Sequence, residues 1–162
     1  MEITILCVGR AREKYWTEAI AEYSKRLGRY CRLQILEAAD EPAPENASET
    51  ERAKILEKEG ERILENLRRC GHDPYVIALA IDGRSLDSPG LARTIDELGV
   101  RGVSHIVFVI GGSLGLSPQV LSRADMRLSF SAFTFPHQLM RVILLEQIYR
   151  AFRIIRGEPY HK

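Results

Sequence analysis

Cysteine is scarce in this 162-residue chain and poorly placed for chemistry: Cys7, Cys31 and Cys70 form no Cys-x-x-Cys pair. An odd, scattered set disfavours a disulfide framework or a thiolate metal site and fits a reducing cytoplasm. His72, His105, His137 and His161 show no ligand spacing with one another or with a carboxylate, so no metal is expected. The chain contains neither a Gly-Lys-Ser/Thr phosphate loop nor a Gly-x-Ser-x-Gly nucleophile elbow. Long apolar runs are also missing. Residues 76–81 are strand-sized, far short of the roughly 18 residues that mark a membrane span, so no membrane partner is expected. The opening residues lack a basic leader and should be retained as a strand.

Net charge is low as well, +1 over the whole chain, but it is unevenly spread. Residues 101–162 carry eight Lys or Arg against three acids, a net +5, which leaves −4 for the first hundred residues. A basic half can attract phosphate, and a solvated helix face explains any one arginine equally well. Apolar residues make up 45% and charged residues 28%, the balance of an ordinary globular protein, and the length suits one domain of about 100–200 residues.

Apolar spacing predicts alternating strands and helices. Ile3, Ile5 and Cys7 read as a strand, then Tyr15 to Leu27 as a helix, with Leu33, Ile35 and Leu36 as a second strand. The Pro- and Glu-rich residues 41–46 read as a loop. Ser48 and Glu51 form a capping-box pattern for a long helix that Gly71 ends. Residues 75–81 read as a strand buried on both faces, with Asp82-Gly83 turning the chain. Ser88, as cap before Pro89, opens a helix that stops near Gly99. Residues 105–110 and 126–131 read as two further strands, and residues 137–156 as a last helix. This alternation implies an α/β fold, a mostly parallel sheet covered by helices on both faces. The last helix carries apolar residues on more than one face, which a partner subunit would explain. Glu146 within it has Arg150 at i+4 as a natural partner.

Two connections stand out. Gly111-Gly112-Ser113-Leu114-Gly115 follows a buried strand, so bare backbone N–H groups can approach a ligand there, although a tight structural turn accounts for it too. Phe130, Ser131, Ala132, Phe133, Thr134 and Phe135 join the last strand to the last helix. Their three phenylalanines either plug the core or wall an adenine pocket. The tail, Gly157 to Lys162, reads as disordered on composition alone.

Taken together, residues 108–117, 128–131, 134–142, 146–152 and Pro159-Tyr160-His161 resemble the RlmH family of SPOUT methyltransferases, over essentially the whole chain. The resemblance implies a SPOUT-type α/β knot, with a C-terminal trefoil knot that periodicity could not foretell. It also implies a homodimer, S-adenosylmethionine as methyl donor, and methylation of N3 of pseudouridine 1915 in 23S ribosomal RNA on assembled ribosomes, with no DNA involved. By position it implies donor contacts at Leu79, Gly111 and residues 130–135. It places Arg150, Tyr160 and His161 near the transferred methyl and the target base. Methylation of another RNA such as transfer RNA, or a non-catalytic role on the ribosome, are the alternatives it leaves.

Overall fold

The computed structural model describes residues 1–162. Five strands, β1 (Glu2–Val8), β2 (Arg32–Ala38), β3 (Tyr75–Ser85), β4 (His105–Ile110) and β5 (Met126–Ser129), form one parallel sheet in the order β2-β1-β4-β3-β5. Helices α1 (Lys14–Leu27), α3 (Ser88–Val100) and α5 (His137–Ile155) cover one face, while α2 (Glu49–Arg69) and α4 (Pro118–Arg123) cover the other. Alternation along β1 divides the core. Ile3, Ile5 and Cys7 join the cluster beneath α1, α3 and α5, whereas Leu6 and Val8 join the cluster beneath α2. No helix is long and apolar enough to cross a membrane.

The capping box forms as the sequence predicts. Glu51 N–H donates to Ser48 Oγ at 3.2 Å and Ser48 N–H to the Glu51 carboxylate at 2.7 Å, bonds that hold the Glu51 carboxyl below its ordinary pKa. Gly71 follows α2 with φ +91°, a conformation that suits glycine.

Three expectations need correction. Ser88 is not the cap of α3. Asp87 is, accepting from Gly90 N–H at 2.7 Å, and the Ser88 hydroxyl instead donates to Gln147 Oε1 at 2.6 Å. Asp82-Gly83 does not end β3. The strand bulges there and rejoins the ladder, so that Leu128 is opposite both Leu79 and Arg84. Only glycine passes at 83, because a side-chain carbon would stand 2.7–2.8 Å from the backbone of Arg127 and Leu128. Last, the two-sided burial of α5 has a source inside the chain, with α1 packed on one side and α3 on the other.

A fully buried cation fixes the start of α5. Arg141, 1% exposed, pairs with Glu37 of β2 at 2.8 Å and donates to the Val8 and Gly9 carbonyls at 3.2 and 2.7 Å. The last helix is thereby tied to the carboxyl ends of the first two strands.

Candidate functional site

A cavity of about 500 Å³ opens at the carboxyl ends of β4 and β5 and beside the mid-strand bulge of β3. The β3 bulge supplies Leu79, Ala80 and Ile81; the glycine loop supplies Gly111, Gly112, Ser113 and Gly115; the connection after β5 supplies Phe130, Ser131, Phe133, Thr134 and Phe135. His137 and Met140 of α5 complete the wall. The structure therefore gathers Leu79, Gly111 and five of the six connection residues around one space; exposed Ala132 does not line it.

Local geometry explains why these residue types are needed. Gly112 and Gly115 form an isolated bridge, with Gly115 N–H donating to the Gly112 carbonyl at 3.1 Å and Gly115 at φ +85°. A side chain at Gly111 would run into the Gly115 carbonyl oxygen, so the turn closes only with glycine there. In the connection, Ser131 Oγ accepts from Phe133 N–H at 3.0 Å, and the Phe133 ring stands 77% exposed at the rim.

Arg150, Tyr160 and His161 lie elsewhere. They cluster on Glu146: Arg150 pairs with it at 2.8 Å, Tyr160 OH donates to it at 3.1 Å and Gln147 donates to it at 2.7 Å. His161 Nδ1 lies 3.4 Å from Arg150. The tail is thus ordered rather than free. Tyr160 packs edge-on against Tyr149 at 5.0 Å, and Arg153 pairs with Glu158 at 2.6 Å. Burial, then the bond to Glu146, raise the Tyr160 phenol above its usual pKa, so it serves as a donor. None of the three lines the cavity, and at about 1.5 Å per residue Arg150 lies about 15 Å along α5 from Met140.

Two groups beside the cavity escaped sequence reasoning. His137 is held below its usual pKa by burial and by Arg141, which keeps a neutral imidazole on the wall. Glu59 of α2, 4% exposed, lies under Gly112: Oε1 accepts from Glu41 N–H at 3.0 Å, and Oε2 is buried without a partner. Its place four residues before Ile63 on the buried face of α2 was the available signal. Burial raises the Glu59 carboxyl above its ordinary value, with the Asp40 carboxylate adding to it and the hydrogen bond from Glu41 N–H opposing it.

A folded pKa raised in this way contributes stability that is complete below the unfolded value of about 4.3 and is lost as pH climbs through the folded value. Glu59→Gln stays neutral throughout and keeps the acceptor for Glu41. It should melt above the parent near pH 7, with the gap closing toward pH 4. Parallel melting curves across that range would refute the assignment.

The cysteines offer no nucleophile. Burial pushes Cys7 up to about 12 and Cys31 up to about 11. The basic C-terminal stretch is also less free than its composition suggests, because Arg123, Arg127, Arg141, Arg150 and Arg153 all form ion pairs within the chain.

Comparisons with known proteins agree with this geometry. A family model described as "Predicted SPOUT methyltransferase" matches residues 1–161. The chain is 61% identical, over 162 residues and 100% of both proteins, to the ribosomal RNA large subunit methyltransferase H of Bifidobacterium adolescentis. It is 59% identical, again over 100% of both, to the protein of the same name in Clostridioides difficile. Among solved structures it is similar to a probable methylase family protein from Haemophilus influenzae, with TM-score 0.56, 14% identity and coverage of 99% of this chain and 70% of that one. It is also similar to the tRNA (m1G37) methyltransferase of Aquifex aeolicus, with TM-score 0.54, 14% identity and coverage of 100% and 75%. At such identity those two likenesses speak for the fold alone. The parallel sheet, the cavity at its carboxyl edge and a family match over nearly the full length lead to one assignment: the chain belongs to the SPOUT methyltransferases.

Proposed function

We propose that this chain, acting as one domain and as a cytoplasmic homodimer on the assembled ribosome, methylates N3 of pseudouridine 1915 in 23S ribosomal RNA. The observation that carries the reading is its 61% identity, end to end, to a protein named as a large-subunit ribosomal RNA methyltransferase. As a SPOUT methyltransferase, the chain takes its methyl group from S-adenosylmethionine. That donor supplies a methyl on a sulfonium, already activated for in-line displacement, so the protein's share is orientation and proton handling.

The cavity suits such a donor. Its volume lies in the range of about 300–1,000 Å³ typical of small-ligand sites, and apolar walls from Leu79, Phe130 and Phe135 fit a planar purine. The Gly111 turn allows backbone N–H groups to come close, and Ser131, Ala132, Phe133 and Thr134 belong to the same binding connection. At the other end, Glu146 holds the Arg150 guanidinium, which steadies developing negative charge on the base, and accepts the single Tyr160 O–H proton, which fixes that ring in place; His161 takes the N3 proton.

Within one chain the two halves of this chemistry are about 15 Å apart along α5. A dimer in which the tail of one subunit meets the cavity of the other would unite them, and this separation is our support for it. The trefoil knot belongs to the same proposal. β5 lies beyond β3 at one edge of the sheet, whereas α5 starts beside Gly9 at the end of β1, so residues 130–136 cross the carboxyl ends of the strands between.

The decisive experiment incubates purified ribosomes that lack the modification with the protein and labelled S-adenosylmethionine, then maps the label. Label at N3 of that pseudouridine supports the reading; label on supplied transfer RNA, or no transfer, overturns it. His161→Ala should lower turnover about 100-fold, the lower end expected of a lost general base, with the donor's dissociation constant unchanged. Unchanged turnover would remove His161 from its role.

A further inference from the structure

Most of the arginines in the basic C-terminal stretch are taken up by internal pairs. Another group of cations is not. Arg10, Arg12 and Lys14 stand exposed along the β1–α1 connection and the first turn of α1, followed at once by Tyr15 and Trp16. Arg10 and Arg12 make no ion pair, and Lys14 has only an exposed one with Glu18 at 3.6 Å. Tyr15 is 62% exposed, held edge-on against half-buried Trp16 at 4.8 Å. The aromatic ring is therefore both outside and braced.

The backbone of this connection is anchored beside the cavity. Gly9 N–H donates to the Ala38 carbonyl at 2.8 Å, the Gly9 carbonyl accepts from Arg141 at 2.7 Å, and Ala11 N–H donates to Glu37 at 3.3 Å. His137, which lines the cavity, packs against Gly9: a side-chain carbon there would stand 3.5 Å from its Nε2. Cations and an exposed ring are thus rooted at the cavity's edge.

We infer that Arg10, Arg12, Lys14 and Tyr15 form the RNA-holding arm of this enzyme: the three cations contact phosphates flanking the target nucleotide, and Tyr15 stacks on an unpaired neighbouring base. The chemistry is that of single-stranded RNA recognition, cations along the backbone with an aromatic platform for a base. Glu13 and Glu18, the acids of the stretch, limit its charge, so the arm adds to recognition of a shaped RNA rather than replacing it. The inference rests on the reading that the substrate is RNA.

The test compares Arg10→Ala/Arg12→Ala and Tyr15→Ala with the parent. Three measurements are taken: methyl transfer to unmodified ribosomes, titration with S-adenosylmethionine, and binding of a fluorescent single-stranded RNA oligonucleotide. The double variant should raise the KM for ribosomes about tenfold and leave kcat, donor affinity and the sedimentation coefficient unchanged. It should also flatten the dependence of log affinity for the oligonucleotide on log salt, by roughly 0.7 for each phosphate that is no longer neutralised. Tyr15→Ala should weaken oligonucleotide binding about tenfold, and Tyr15→Phe should restore it because the stacking face remains.

An unchanged KM and salt slope would overturn the inference. So would variants that lose donor affinity or change oligomeric state in proportion, since the segment would then be a structural or subunit contact. Should the parent bind the oligonucleotide through this arm yet transfer no methyl to ribosomes, the arm stands and the assignment of substrate falls.

Discussion

Replacing Glu37 with alanine should cost about 3–5 kcal/mol of folding stability, more than replacing Arg141 with methionine, although Glu37 is much the more exposed of the pair. The asymmetry follows from what each change leaves behind. Without Glu37, the Arg141 guanidinium stays sealed in the core, donating to the Val8 and Gly9 carbonyls but with no countercharge, and its Nε already lacks a partner. Without Arg141, the Glu37 side chain, 35% exposed, can turn to water, and the loss is confined to two carbonyl partners and some packing, about 2–3 kcal/mol. At roughly 2–4 °C per kcal/mol for a chain of this size, Glu37→Ala should melt about 6–20 °C below the parent. Urea unfolding of both single variants and the double would decide the matter. The double variant should lose less than the sum, because its second change removes the charge stranded by the first. A Glu37→Ala protein within about 1 kcal/mol of the parent would show that the pair carries no such energy.

Gly111→Asp should weaken S-adenosylmethionine binding about 100-fold or more while leaving the fold cooperative. Any side chain at 111 meets the Gly115 carbonyl oxygen, so the turn must open, and its backbone groups leave their places on the cavity wall. Two backbone hydrogen bonds to the donor, at about 1.4 kcal/mol each, already amount to that factor, and the added carboxylate narrows the space further. Calorimetric titration reads the affinity, and thermal melting confirms that the sheet survives. Intact affinity in a folded Gly111→Asp protein would mean that the donor binds elsewhere.

Much of this architecture is legible from local patterns. The Ser48–Glu51 box needs only its own four residues, and the apolar run at 105–110 emerges as β4 with the same ends. What stayed hidden depends on partners distant in sequence. Asp82-Gly83 has the composition of a turn, and only the approach of the β5 backbone reveals why glycine is there: the strand must bulge past another chain segment. Arg141 reads as one more basic residue until Glu37, 104 positions earlier, is brought beside it, yet Leu144, Leu145 and Ile148 at i+3, i+4 and i+7 mark its face of α5 as buried. In the candidate site, the glycine turn and the phenylalanine connection could be singled out from residue types, whereas the Glu146 cluster joins residues of a helix to a tail whose composition reads as disordered. Only family resemblance pointed to that tail.

The sheet order also governs what happens while the chain is being made. β1 lies between β2 and β4, and its partners on β4 lie 103 residues further along. At a synthesis rate of about 5–20 residues per second, the first strand waits roughly 5–20 s with one edge unpaired, and the Arg141 tie comes later still. A nascent chain of this enzyme therefore spends most of its synthesis with an apolar strand half covered, and its yield in a cell depends on what shields that strand during the wait.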